Sequence, residues 1–231
     1  GSFWLAMLLA PIPVGLVAAA IEMFFLRRLY RRDRLDQVLL TFGFSFIFTD
    51  LVETVWGRDV LAIDEPPSLQ NSIEFLGGFY PSYRLALLGF GLLVAFVLWR
   101  IVEHTRAGAM VRAGVDDPAS AMGIGLNVPL LLTSTFALGG ALAGLAGVVA
   151  GPILGVYSGL DIEVLIPAFI VVVVGGLGSL KGAFFGSLLI GMTDTLGRAY
   201  LPDMAMFLTY LMLIAVLLFR PAGLFGIAQP Q

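Results

Sequence analysis

Residues 112–125 read RAGVDDPASAMGIG, a polar, small-residue run suited to water. Before it stands LALLGFGLLVAFVLW, residues 85–99, and after it VPLLLTSTFALGGALAGLAGVVAG, residues 128–151. Both flanks belong in lipid. Across the 231 residues, 59% are hydrophobic and only 13% charged, about half the charge fraction of a water-soluble domain. The apolar residues fall in long runs, and roughly 20 in a row is what an α-helix needs to cross a bilayer. No sustained apolar–polar alternation points to a β-barrel instead. The expected fold class is therefore all-α: a polytopic helical membrane protein, residues 1–231 forming a single transmembrane domain with about 6–7 membrane-embedded helices.

Working outward from that island, spans are expected at residues 3–26, 35–56, 84–103, 128–150 and 205–219. Two shorter apolar helices lie near 163–175 and 182–198. A helix of that shorter length reaches only ~20 Å against a hydrocarbon core of ~30 Å. The pair around GGLGSLKG (residues 175–182) thus either crosses twice or forms a re-entrant hairpin. Arginine sets the orientation. RRLYRRDR (residues 27–34) carries five, and Arg100, Arg106 and Arg112 flank the island; basic loops stay on the cytoplasmic side. The loop at 57–83, which with Arg84 at its end holds four acids against two arginines, is expected outside, and the island at 105–127 inside. GSFWLAMLLAP at the start lacks Met and a basic leader, so no signal peptide is expected there. Either a preceding piece is missing or Gly1 and Ser2 are a cloning remnant.

The small residues are spaced with purpose. Gly139, Ala143, Gly147, Gly151 and Gly155 recur every four residues, as do Gly178, Gly182 and Gly186. On a helix this spacing makes one ridge that a neighbouring backbone can approach closely. Tight helix packing is the plain reading; lining of a translocation path, or a sliding surface, is the functional one. GGLGSLKG is not a phosphate loop, because Lys181 precedes Gly182 at the wrong spacing and no Ser or Thr follows the lysine. Any nucleotide must be bound by another chain, and no cofactor is expected on this one.

Within the island, Asp117 is a good N-cap and Pro118 a good first helical residue. Gly123 or Gly125 is placed to end that short helix. Thr105 can cap a preceding helix that stops at Gly114. Ala119, Ala121, Met122 and Ile124 would offer a small apolar face rimmed by Arg112, Asp116 and Asp117, the composition of a docking element.

The stretch RAGAMVRAGVDDPASAMGIGLNVPLLLTSTFALGGALAGLAGVVAGP (residues 106–152) resembles the cytoplasmic loop and following span of the branched-chain amino-acid class of ABC transporter permeases. GGLGSLKGAFFGSLLIG (175–191) and LLFRPAGLFG (217–226) are similar to C-terminal signatures of the same family. The resemblance implies the ABC importer permease fold in a bacterial inner (plasma) membrane. In that family the island is a coupling helix, so the implied ATPase-coupling residues are Arg112, Asp116, Asp117, Ala119, Ser120, Ala121, Met122 and Gly123. Ser120 stands where many relatives carry Ala, and the Glu of the broader permease motif is absent. The candidate helix-packing or path residues, read from the spacing above, are Gly139, Ala143, Gly147, Gly151, Gly178, Gly182 and Gly186. Implied partners are cytoplasmic ABC ATPase subunits, a second permease subunit, a periplasmic amino-acid-binding protein and the lipid bilayer; no nucleic acid is implied. The implied activity is ATP-driven import of amino acids, branched-chain ones by family default, through alternating access.

Ionisable residues inside spans are costly, at ~2.5–3.5 kcal/mol on insertion scales. Glu22, close to Arg27 and Arg28, is expected to snorkel to the interface. Asp50 and Glu53 share a helix face near an outer end, and Asp194 can pair with Arg198 at i+4. Asp161 and Glu163 suit the start of a short helix. With His104 alone and no Cys, neither a zinc site nor a His-based catalytic triad can be built; an enzyme is not expected. The alternative is an ion-coupled secondary transporter for a small polar solute, which would favour charged or broken helices at midplane.

Overall fold

The computed structural model describes residues 2–30, 32–75 and 78–226, with Arg34 and Phe75 described by their backbone alone. Gly1 of the cloning-remnant reading and Arg31 of the basic cluster lie outside the described residues, as do Leu76 and Gly77 of the acidic loop. The chain divides into two compact units, Gly1–Ser158 and Gly159–Gln231.

The first unit opens with α1 (Phe3–Leu9) and α2 (Pro11–Ile21), continues as a π-helical turn over Glu22–Leu26, and ends in α3 (Arg27–Leu29). Together these form one apolar span, Phe3–Leu29. Next come α4 (Arg34–Trp56), a hairpin of β1 (Ser72–Phe75) and β2 (Gly78–Pro81), and α5 (Ser82–His104). The polar island forms α6 (Arg106–Asp116) and α7 (Pro118–Gly123), and α8 (Val128–Leu154) closes the unit. The antiparallel pairing of Ser72 with Pro81 through Phe75 with Gly78 is a small β element that the sequence did not announce.

Glycine lets α2 and α8 meet backbone to backbone. A Cβ on Gly140 would stand 2.4 Å from the Ala18 Cβ, and one on Gly144 would stand 2.9 Å from Val14 Cγ2. From the other side, a Cβ on Gly15 would stand 3.1 Å from the Ala137 carbonyl oxygen. This contact lies one residue away from the four-residue ladder read in the sequence: Cβ atoms on Gly139 or Gly147 would meet nothing within 4 Å. A second ladder, Gly140 with Gly144, runs beside the first, and spacing alone does not distinguish them. A Cβ on Gly151, by contrast, would stand 3.1 Å from Ile63 Cδ1 of the acidic loop.

The outer half of α8 is tied to that loop. Leu61 and Val156 pair by two backbone hydrogen bonds of 2.8 and 3.0 Å, and the buried Tyr83 hydroxyl donates to the Val149 carbonyl at 2.8 Å. The island packs at the opposite end, where Gly114 of α6 approaches Val128 and Leu131. With 27 residues in α8, the two ends are about 40 Å apart. The acidic loop and the polar island thus occupy opposite ends of one membrane-length rod.

The second unit holds α9 (Leu160–Gly175), α10 (Leu180–Tyr200) and α11 (Ala205–Phe219). α9 and α10 pack where a Cβ on Gly182 would stand 2.1 Å from the Gly175 carbonyl oxygen, and one on Gly186 2.8 Å from that of Val171. Ile170, Val174, Ile190 and Val216 form the core. After α11 the chain returns to the end of α9: Leu224 N–H donates to the Val174 carbonyl at 2.8 Å and Phe225 N–H to the Gly175 carbonyl at 3.0 Å. These bonds satisfy carbonyls that a helix C-terminus otherwise leaves open. The return needs Gly176 and Gly223, whose φ angles are +102° and +81°; a Cβ on Gly223 would stand 2.5 Å from the Gly176 Cα, and one on Gly176 2.4 Å from the Gly226 nitrogen.

Among the described residues, five helical segments are long and apolar enough to cross a membrane: Phe3–Leu29, Leu35–Trp56, Ser82–His104, Val128–Leu154 and Pro202–Phe219. These match the five spans expected from sequence, with α8 running through Pro152 to Leu154. α10, at 21 residues, is longer than anticipated and reaches about 31 Å.

Candidate functional site

The island is a corner built from local hydrogen bonds. The Thr105 hydroxyl accepts from Gly108 N–H at 3.2 Å and starts α6. Asp117 accepts from Ala119 N–H and Ser120 N–H, each at 3.1 Å, and from the Ser120 hydroxyl at 2.5 Å, starting α7. The Asn127 side chain accepts from Leu130 N–H at 3.1 Å and starts α8. Three successive helices therefore each carry their own N-cap, the arrangement that fixes an entry angle where burial is scarce. Ser120 explains itself here: its hydroxyl, absent from Ala, closes the cap on Asp117. That bond, with the Ser120 backbone N–H, holds the Asp117 carboxyl below its ordinary range. Arg112 donates to the Val102 carbonyl and ties α6 back to the end of α5.

Exposure divides the residues of α7 by side. Ala119, Ser120 and Gly123 are exposed, Met122 is 53% and Ile124 78% exposed, while Ala121 is 3% exposed. Ala121 therefore faces inward, not outward with Met122 and Ile124 as the sequence suggested. Ala121 lies on the covered side of this six-residue helix. The free apolar surface is Met122 and Ile124, with Val115 of α6 beside them in sequence and also exposed. Arg112, Asp116 and Asp117 are exposed as well.

Just above this corner lies a buried polar network that the sequence did not reveal. Glu22 is 0% exposed, which corrects the snorkelling expectation. Its Oε2 accepts from the Thr133 hydroxyl at 2.5 Å and pairs with Arg27 Nη2 at 3.3 Å. Its Oε1 accepts from the Tyr30 hydroxyl at 3.1 Å. Arg27 Nη2 also donates to Thr133 Oγ1 at 2.5 Å and to the Pro129 carbonyl at 3.3 Å. A buried carboxylate is tolerated when paired and hydrogen-bonded, and Glu22 has all three kinds of partner: a hydroxyl, a phenol and a guanidinium. Tyr30, just past the end of its span, has its phenol pushed up to about 12, first by burial and then by the Glu22 bond and charge, so it remains a donor. Pro129 and Thr133 belong to the first turns of α8, directly after the island. The network joins the first span to the foot of the rod on which the island rests. Only the Arg cluster near Glu22 hinted at it, since Thr133 lies 111 residues from Glu22 in sequence.

Two further acids are paired locally. Glu53 pairs with Arg58 at 2.7 Å and accepts from the Ser158 hydroxyl. Asp194 pairs with Arg198 at 2.9 Å. The His104 ring meets Trp99 edge-on, with centroids 4.6 Å apart. Asp161 and Glu163 sit in the first turn of α9. Among the described residues, no three His, Cys, Asp or Glu side chains are grouped to hold a metal.

The sequence model of the family described as "Branched-chain amino acid transport system / permease component" matches residues 2–217. The high-affinity branched-chain amino acid transport system permease protein LivH of Salmonella typhimurium is 28% identical over 235 residues, 96% of this chain and 75% of its own. The corresponding permease BraD of Pseudomonas aeruginosa is 31% identical over 214 residues, covering 90% of this chain and 69% of its own. The fructose import permease FrcC of Rhizobium meliloti is 30% identical over 108 residues, 44% of this chain. No solved structure matches the chain.

Proposed function

From the premise that this chain belongs to the branched-chain amino acid permease family, we propose that it is the membrane subunit of an ATP-driven importer of amino acids. It works by alternating access in an inner membrane and takes its energy from separate ATPase subunits. The observation that carries the reading is the preformed, capped corner of α6 and α7, which presents Met122 and Ile124 at the foot of α8. An apolar tip with an acidic and basic rim suits a groove on a soluble partner. A push there enters α8 where Gly114 of α6 meets Val128 and Leu131, and the same rod reaches the outer loop about 40 Å away. Branched-chain amino acids are the proposed solutes. The relatives named for them span most of this chain, whereas the likeness to the fructose permease spans less than half.

The experiment is to reconstitute the chain with its neighbouring ATPase and a second permease subunit, then add a loaded periplasmic binding protein. Loaded binding protein is expected to raise ATP hydrolysis. Met122→Asp and Ile124→Asp should each lower that stimulation by about tenfold, with membrane insertion unchanged. Ala121→Asp is the poorer probe, because it also buries a charge at a covered position. Transport that follows an imposed ion gradient, with no stimulation of hydrolysis, would overturn the proposal in favour of a secondary transporter.

A further inference from the structure

We propose that Glu22, Arg27 and Thr133 form a clasp between the first span and the foot of α8 that opens and closes during transport, with Arg27 as its positioning residue. The inference rests on the transport reading above and names the residues that would pass motion from the island to α2.

Three observations carry it. The first is backbone geometry. Residues five apart on an α-helix point about 140° away from each other, so Glu22 and Arg27 could not pair on a regular helix. The turn between them is π-helical, Glu22–Leu26, and Arg27 N–H donates to the Glu22 carbonyl. That wider turn brings the fifth residue back over the first, and single π turns within helices occur often at functional places. A return to α geometry would swing Arg27 off Glu22 and off Thr133 together.

The second is the incomplete use of the arginine. A guanidinium can offer two parallel N–H bonds to a carboxylate. Here Nη2 alone serves Glu22, Thr133 and the Pro129 carbonyl, while Nε is buried with no partner. A buried donor without an acceptor is destabilising. The contact therefore holds Arg27 in place yet falls short of a permanent lock, as a part that must release in each cycle requires.

The third is position. Pro129 and Thr133 are in the first turns of α8, within ten residues of Met122 or just beyond, and α2 is the helix that packs on α8 through Gly140 and Gly144. Movement of the island reaches the clasp before it reaches the glycine contact.

The test uses the assembled transporter in vesicles and reads solute moved per ATP hydrolysed. Thr133→Val and Arg27→Gln are expected to lower that ratio by about tenfold while the ATPase still co-purifies. Thr133→Ser, which keeps the hydroxyl, should retain it. Arg27→Lys keeps the charge without the planar fork and should fall between. Loss of yield with an unchanged ratio in the complexes that do assemble would overturn the clasp, since that is what a purely structural network gives. A measurement without substitution stands beside these: amide hydrogen exchange over residues 22–27 in the wild-type complex, with and without a non-hydrolysable ATP analogue. Different protection in the two states supports the clasp, and identical protection overturns it. If the wild-type complex shows no ATP-dependent transport at all, the transport reading fails and the clasp with it; if it transports and the variants match it, the clasp alone fails.

Discussion

Asp117 shows how much one exposed carboxylate can organise. Its three accepted bonds define where α7 starts, and α7 sets where Met122 and Ile124 stand. Because the hydroxyl and N–H of Ser120 hold its pKa down, the folded state favours the ionised form. The cap therefore contributes above the ordinary aspartate pKa and is lost only as pH falls through the lowered folded value. Between about pH 6 and about pH 8, far above the carboxylate range, ATPase co-purification should not change on this account. Asp117→Ala should reduce co-purification several-fold at every pH in that window, by analogy with the loss of other N-caps. Asp117→Asn, which keeps an accepting oxygen, should come close to wild type. A pull-down across the pH series checks all of this; an alanine variant that binds as well as wild type would remove Asp117 from the docking corner.

At the scale of elements, the glycines make opposite predictions for neighbouring positions. Gly140→Val places atoms where the Ala18 Cβ stands, and overpacking of this kind typically costs 1–3 kcal/mol, here roughly the upper part of that range. Gly147→Ala meets open space, and removing a mid-helix glycine there should stabilise by about 0.5–1 kcal/mol. Thermal unfolding of the detergent-solubilised chain separates the two; equal effects would mean that α2 and α8 do not meet as described. The spans were legible in the sequence because bilayer thickness imposes a length, and the caps were legible because Thr105, Asp117 and Pro118 act on near neighbours. The glycine face was not, since Gly139 and Gly140 begin ladders of the same period and only α2 decides between them. Nor was the Glu22 network, whose π turn and distant Thr133 leave no periodic trace. Ala121 was misplaced for a related reason: six residues are too few to show which side of a helix is wet.

Taken whole, the first unit places the acidic loop and the island at opposite ends of α8, as the arginine distribution requires of a membrane protein. The chain has no cysteine, so single cysteines report sidedness without background. Ser68→Cys, in the exposed part of the loop, should react with an impermeant thiol reagent on intact cells. Ile124→Cys should react only after the membrane is opened; labelling of both from one side would refute the arrangement. Within the first unit, much apolar surface on α4 and α5 is left uncovered, as suits helices that face lipid. The succession of Thr105, Asp117 and Asn127 has one more consequence. A tip already shaped by its own short side chains gives up little conformational freedom when a partner closes over it. Grip and release can then both be quick, so a motor that fires repeatedly would spend its stroke on moving helices and little of it on refolding the handle.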